Sequence, residues 1–259
     1  MIDKIVHFSD LHIKLYKDHD LYRDILSECF DRWSELKPDR IVFTGDLVHS
    51  KNHVTPELID IVSWVLKECA KIAKTIVLIG NHDFLENNLN RLDTLTPIIE
   101  NINNDNIVYF TDKGVYLDDN VNWCVYSLKE DNERPEITKE KDLHNIGLYH
   151  GTIEGLSTDM GYMFDEGTSP EHFTGCDVVL AGDIHKRQIV EIPTGKLYMV
   201  GSLIQQNFGE SLKNHGFGVY SINKNEYKFE DVENHRPYLN FKIKDIEDIE
   251  KERERLTNK

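Results

Sequence analysis

The sequence predicts an α/β fold: a parallel sheet joined by right-handed helical crossovers, with a polar rim where the strands end. Three observations predict it. Short apolar runs, Ile5-Val6-His7-Phe8, Ile41-Val42-Phe43, Thr75 to Ile79, Ile146 to Tyr149 and Val178 to Ala181, read as strands covered on both faces. Each run ends in a polar turn, Ser9-Asp10-Leu11-His12, Thr44-Gly45-Asp46-Leu47-Val48-His49, Gly80-Asn81-His82-Asp83, His150-Gly151 and Gly182-Asp183-Ile184-His185. Helical patterns separate the first three runs, and that alternation is the signature of parallel strands with crossovers. Open α/β sheets place ligands at the carboxyl ends of their strands, so these turns should share one rim.

Taken in order, residues 19 to 36 carry Tyr22, Leu26, Phe30 and Trp33 at helical spacing, and the helix stops before Pro38. The next helix opens with Thr55 as N-cap and Pro56 in first position, and Leu58, Val62, Val65, Cys69 and Ile72 form its apolar stripe. From about residue 105 the texture changes to short strands at Ile107 to Phe110, Gly114 to Leu117 and Asn122 to Leu128. Residues 129 to 143 read as a charged loop or exposed helix edge, and 151 to 175 as a long loop over the rim. Strands resume at 178, at Lys196 to Val200, at Gly216 to Ile222 and at Tyr227 to Val232. The last stretch, KIKDIEDIEKERERLTNK, reads as a solvated charged helix or linker.

With 259 residues, 39% hydrophobic and 29% charged, core size is no constraint and the chain suits a soluble, cytoplasmic protein. No apolar run approaches the roughly 20 residues that cross a bilayer, and MIDKIVHFSD does not look like a signal peptide. Cys29, Cys69, Cys124 and Cys176 form no C-x-x-C pair, and the first two fall on apolar helix faces, so they read as small buried hydrophobes. The formal charge of −16 disfavours indiscriminate nucleic-acid binding. Divalent cations at the site could supply the missing positive charge locally.

The turns together offer Asp10, His12, Asp46, Asn81, His150, Asp183 and His185. Two divalent cations need a shared carboxylate, further oxygen and imidazole ligands, and open positions for water and substrate. These groups suffice for two such shells. Without thiolates, manganese, magnesium, iron or zinc all fit, and manganese suits mixed imidazole and carboxylate ligation best.

The ordered set D-x-H, G-D, G-N-H-D, a single His and G-D-x-H resembles the calcineurin-like metallophosphoesterases. Within them, HFSDLHI, FTGDLVH, LIGNHD and YMVGSLIQQNFGE resemble the SbcD-type nucleases of double-strand-break repair and their tailed-phage counterparts. In eukaryotes and archaea these are called meiotic recombination eleven. The resemblance spans roughly residues 1 to 235, leaving 236 to 259 as a charged linker or the start of a missing capping region. It implies a four-layer α/β/β/α sandwich of two mixed sheets flanked by helices. It also implies that Asp10, His12, Asp46 and His185 hold one metal, and Asp46, Asn81, His150 and Asp183 the other, with Asp46 bridging. A water shared by the ions, its pKa lowered by both, would attack phosphorus in line with the leaving oxygen. His82 would stabilise the transition state or protonate the leaving group, His49 would help position a DNA backbone, and Asp83 would orient His82 or its loop. Asp183 is a departure, since the family usually has His there. A carboxylate can still ligate, and as a harder donor it favours manganese or magnesium over zinc.

The resemblance therefore implies a manganese-dependent DNA nuclease. It would act as an exonuclease on duplex ends and an endonuclease on single strands, working as a homodimer with an SbcC-type SMC-like ATPase. Alternatives on the same scaffold are a small-molecule metallophosphatase, a cyclic-nucleotide phosphodiesterase and a non-catalytic scaffold subunit. His7, His19, His53, His144, His172, His215 and His235 have no motif reason to be ligands and read as structural or exposed.

Overall fold

A computed structural model describes residues 1–241, 243 and 246–257, without the side chains of 252 and 254–257. Two mixed sheets of six strands form the body. In the first, β1 (Lys4–Phe8), β2 (Arg40–Phe43), β3 (Lys74–Leu78) and β4 (Ile107–Phe110) run parallel to their neighbours, because α1 (His19–Leu36), α2 (Pro56–Ile72) and α3 (Leu95–Ile102) carry the chain back between them. The second sheet has the order β5 (Gly114–Asp118), β6 (Val121–Val125), β7 (His144–His150), β8 (Val178–Gly182), β10 (Gly195–Met199), β9 (Gln188–Ile192). The chain then returns to the first sheet, where β11 (Gly216–Ser221) pairs antiparallel with β1 and β12 (Glu226–Asp231) closes the edge.

The layers follow from alternation along each strand. Val6 and Phe8 of β1 face the helices and join Tyr22, Ile25, Trp33, Val62 and Val65, whereas Ile5 faces the second sheet with Ile76, Trp123, Leu148 and Leu180. The outer face of the second sheet, with Cys124, Tyr149, Val179 and Met199, is sealed by Ile153, Leu156 and Phe173 from the segment 151–175. That segment holds the 3-10 helix Pro170–Phe173, which supplies the outermost helical layer. Arg40 on β2 spans the sheets, its guanidinium donating from Nε and Nη2 to Asp118 on β5 at 2.7 and 2.8 Å.

The two long helices match the sequence reading, with the Thr55 side chain accepting from the Leu58 amide at 3.3 Å. Helix α3 and strand β9 are additions to it. Asp93 Oδ1 accepts from the amides of Leu95 and Thr96 at 3.1 and 2.7 Å and so starts α3. The expected strand to Leu128 ends at Val125, where Tyr126 hands over to a 3-10 turn at Leu128–Glu130. Residues 236 to 240, placed by sequence with the charged linker, still dock on the body. The Tyr238 amide donates to Gln205 Oε1 at 2.8 Å, and Lys14 Nζ donates to the Tyr238 hydroxyl at 3.1 Å. Helix α4 (Ile246–Thr257) follows; residues 242, 244, 245, 258 and 259 of the charged stretch lie outside the described residues. Among the described residues, no helix is long and apolar enough to cross a membrane.

Candidate metal centre

The turns after β1, β2 and β3 in one sheet and β7 and β8 in the other meet at the same end of the sandwich. The first two run side by side, the amides of Asp10, His12 and Ile13 donating to the carbonyls of Gly45, Asp46 and Leu47 at 3.0 to 3.1 Å. Asp10, His12, Asp46 and Asp183 all have left-handed backbones, with φ of 53°, 46°, 62° and 98°. That conformation is uncommon for residues with a side chain and clusters at functional sites. The glycines of the motifs permit the convergence. A Cβ on Gly80 would lie 2.1 Å from the Asp46 amide nitrogen, and one on Gly182 would lie 2.1 Å from Ser9 Oγ.

Asp83 locks the arrangement. Its Oδ2 accepts from the amides of Gly80 and Asp46 at 2.8 and 3.0 Å, and its Oδ1 from those of Leu47 and Val48 at 3.0 and 3.2 Å. It is fully buried and makes no hydrogen bond to the His82 ring, so its geometry is that of a clamp between the second and third turns. Burial and the Asp46 charge raise Asp83, and the Gly80 and Val48 amides hold it down. Each oxygen already receives two N–H donors, so a proton there would face a donor, and the carboxylate is the form this cage fits.

Asp46 lies at the centre. Its Oδ2 is 3.4 Å from His12 Nε2, and its Oδ1 is 3.4 Å from His150 Nε2 and accepts from the His82 amide at 2.8 Å. One carboxylate thus presents its two oxygens to two different groups. On the first side stand Asp10, whose Oδ1 is 3.8 Å from His12 Nε2 and 3.9 Å from His185 Nε2, and the two imidazoles themselves, with their Nε2 atoms 3.0 Å apart. On the other side His150 Nε2 lies 3.3 Å from Asn81 Oδ1 and 3.9 Å from Asp183 Oδ1. Asp183 is steadied by Thr152 Oγ1, which donates to its Oδ2 at 3.1 Å.

The imidazoles are oriented from behind. His150 Nδ1 donates to the Thr44 carbonyl at 2.6 Å, which leaves its Nε2 lone pair facing the cluster. His185 Nδ1 bonds Glu210 Oε1 at 2.7 Å, and Glu210 Oε2 accepts from the Gln206 amide at 2.7 Å. Glu210 has no place in the sequence-derived set. It lies in the YMVGSLIQQNFGE stretch, but its partner is 25 residues away, beyond the reach of spacing. His82 Nδ1 donates to the His49 carbonyl at 2.8 Å, and the two rings stack at 5.7 Å. His82 Nε2 is thereby left for a ligand, while the His49 ring is exposed.

The electrostatics call for cations. Burial raises Asp10 to about 6, and the nearby Asp46 adds to the shift. Burial alone would also raise Asp46, but His150, His12 and the His82 amide hold its carboxyl well below the usual range. Burial opposes the charged form of His185, yet Glu210 and Asp10 raise it to about 9; His150 is likewise raised, by Asp46, Asp10 and Asp183. Burial keeps His12 neutral. Among the described residues, no Lys or Arg pairs with Asp10, Asp46, Asp83 or Asp183, and the ion pairs that Asp10, Asp46 and Asp183 make are with histidines. Buried charges need partners, and divalent cations replacing those protons would provide them. The compact groups Asp10-His12-His185, Asp10-Asp46-His150 and His12-His49-His82 each have donors within 4.8 Å of one another, and the first two, which carry the carboxylates, suit a dinuclear site. All the residues expected from the turns, Asp10, His12, Asp46, His49, Asn81, His82, Asp83, His150, Asp183 and His185, therefore lie in one cluster.

The calcineurin-like phosphoesterase family matches residues 3–187, a span that holds every one of these residues. Uncharacterized protein R555 of Acanthamoeba polyphaga mimivirus is 37% identical over 267 residues, which cover 96% of this chain and 19% of that protein. The chain thus spans about a fifth of that relative's length. Among solved structures, a novel archaeal phosphodiesterase is 16% identical with a TM-score of 0.47, covering 87% of this chain and 97% of its own. The phosphopantetheinyl hydrolase of Mycobacterium tuberculosis is 13% identical with a TM-score of 0.45, covering 77% of this chain and 89% of its own. Family match and cluster agree: the chain belongs to the calcineurin-like phosphoesterases, metal-dependent phosphoester hydrolases with a dinuclear metal site.

Proposed function

We propose that the chain is a manganese-dependent DNA nuclease, exonucleolytic on duplex ends and endonucleolytic on single strands. Asp10, His12, Asp46 and His185 would hold one ion, and Asp46, Asn81, His150 and Asp183 the other. The single observation that carries the two-metal reading is the split of Asp46, Oδ2 toward His12 and Oδ1 toward His150. Bound cations supply Lewis acidity to the phosphate and acidify water. The chain's own residues do the rest. The Thr44 carbonyl and Glu210 present the Nε2 lone pairs of His150 and His185. His82, fixed through Nδ1, offers Nε2 to the leaving oxygen as proton donor or charge stabiliser. His49 stands beside it at the open side of the site, where a strand's backbone would pass.

Two features support the nuclease branch over other phosphoesterases: the His49–His82 pair, and the seating of Glu210, from the phrase shared with SbcD-type enzymes, on His185. Action in repair or recombination as a homodimer with an SbcC-type ATPase belongs to the same proposal, and the formal charge of −16 suggests that a partner provides much of the grip on DNA. That charge also favours the rival reading of a small-ester phosphodiesterase. Linear duplex, single-stranded circle and bis-p-nitrophenyl phosphate, each assayed with Mn²⁺ and with EDTA, separate the two. Metal-dependent cleavage of DNA supports the proposal, and hydrolysis of the small ester alone retires it.

A further inference from the structure

Beside the metal centre lies a cleft of about 420 Å³, bounded below by Asp183 and His185 and walled by Met160, Phe164, Lys186 and Asn207. Its walls are tied to one another. The Ser211 amide donates to Asp159 Oδ2 at 2.9 Å and joins the two wall segments. Met160 packs so closely on Gly209 that a Cβ there would come within 2.8 Å of its sulfur. Phe164 is held edge-on by Tyr162 at 5.1 Å. Lys186 Nζ, donating to Ser157 Oγ at 2.8 Å, is set on the rim with two further N–H bonds to offer.

The site's two halves differ in chemistry. The metal end is made of carboxylates and imidazoles, suited to a phosphate held by cations. The cleft is a thioether and an aromatic ring with polar groups along one margin. Met160 is 81% exposed and stands with the exposed Tyr162 and Met163, and flexible thioethers suit adaptable contact with flat rings. Asp183 and His185 line both the metal centre and the cleft, so an ester arm leaving the metals on that side enters it.

Building on the phosphodiesterase reading, we infer that this cleft binds the nucleobase of the nucleotide attached to the scissile phosphate, in an unstacked state. The base lies against Met160 and Phe164, with its polar edge toward Lys186, Asp159 and Thr158. A base can enter only after leaving its stack, so unpaired nucleotides and frayed ends are the preferred substrates.

Calorimetric titration of the Mn²⁺-loaded protein with thymidine 5′-monophosphate and with inorganic phosphate reads the cleft without turnover. The nucleotide binds about tenfold tighter than phosphate, as stacking of one base allows. Met160→Ala, and separately Lys186→Gln, removes most of that margin while phosphate binding persists. Equal affinity of the two ligands for the unaltered protein, or parallel loss of both in the variants, overturns the inference. The kcat/KM ratio of p-nitrophenyl thymidine 5′-phosphate to methyl p-nitrophenyl phosphate falls by the same factor in Met160→Ala, and an unchanged ratio also overturns it. If neither ester is hydrolysed, the phosphodiesterase reading fails, and the nucleotide-over-phosphate margin still decides the cleft.

Discussion

Replacing Asp83 by Asn tests whether four amides outweigh burial. The substitution keeps the shape of the side chain but turns one oxygen into an NH₂ group that must face two backbone N–H donors, either Gly80 and Asp46 or Leu47 and Val48. Two charge-assisted bonds are lost and two buried donors go unpaired, at about 1–3 kcal/mol each, so the expected destabilisation is about 4 kcal/mol. For a chain of this length that lowers Tm by roughly 8–16 °C. The second and third turns also lose their tie, and shifts on the order of 1 Å at such a site cost about a hundredfold in rate. Differential scanning calorimetry and Mn²⁺-dependent hydrolysis of bis-p-nitrophenyl phosphate measure the two effects. If burial won and Asp83 carried a proton, the carboxamide would mimic it. A Tm within about 2 °C of the unaltered protein would therefore refute the clamp.

Three further outcomes follow from the same geometry. His82→Ser lowers kcat by about 10²–10⁴ while leaving two equivalents of bound metal, which pairs a rate assay with a metal count; loss of metal instead would make His82 a ligand. Glu210→Gln leaves His185 with a weaker acceptor and reduces metal affinity by about 10- to 100-fold in a Mn²⁺ titration followed by electron paramagnetic resonance. The Arg40 fork holds the Asp118 carboxyl at about 2, below its ordinary 3.8, so the stability it contributes is present above pH 3.8 and lost as pH falls toward 2. Discounted for solvent screening, the unaltered protein loses about 1 kcal/mol more than Asp118→Asn across that window, read by urea unfolding at each pH.

Much of this was legible in the chain because strand, turn and ligand are adjacent in sequence. The run from Thr75 to Asp83 contains a strand, the glycine that permits close approach, a candidate ligand and the clamp. The helices over 19–36 and 56–72 were equally plain, because their apolar stripes run for several turns. Helix α3 was not, since eight residues give barely two turns of periodicity and its start rests on Asp93 rather than on an obvious cap. Strand β9 escaped for the opposite reason: on the sheet edge, alternate residues such as Ile189 and Glu191 are exposed, so it lacks the apolar run of a covered strand. The division of strands between sheets is a matter of long-range pairing that local patterns do not carry. Glu210 and the Met160 cleft belong to the same class, each created by segments that meet only in the folded chain. His7 did read as structural, and it lies fully buried between Tyr227 and Thr44, at 2.8 and 2.9 Å.

The left-handed backbones at Asp10, His12, Asp46 and Asp183 bear on how the protein wears out. Each is held against the sheets behind it in a conformation uncommon for a residue with a side chain, though Asp and His adopt it more readily than most. The catalytic mouth is thus a loaded spring seated on a stiff frame. Gentle warming should slacken the mouth while the frame stays intact, so that inactivation runs ahead of melting and cooling restores the enzyme without refolding.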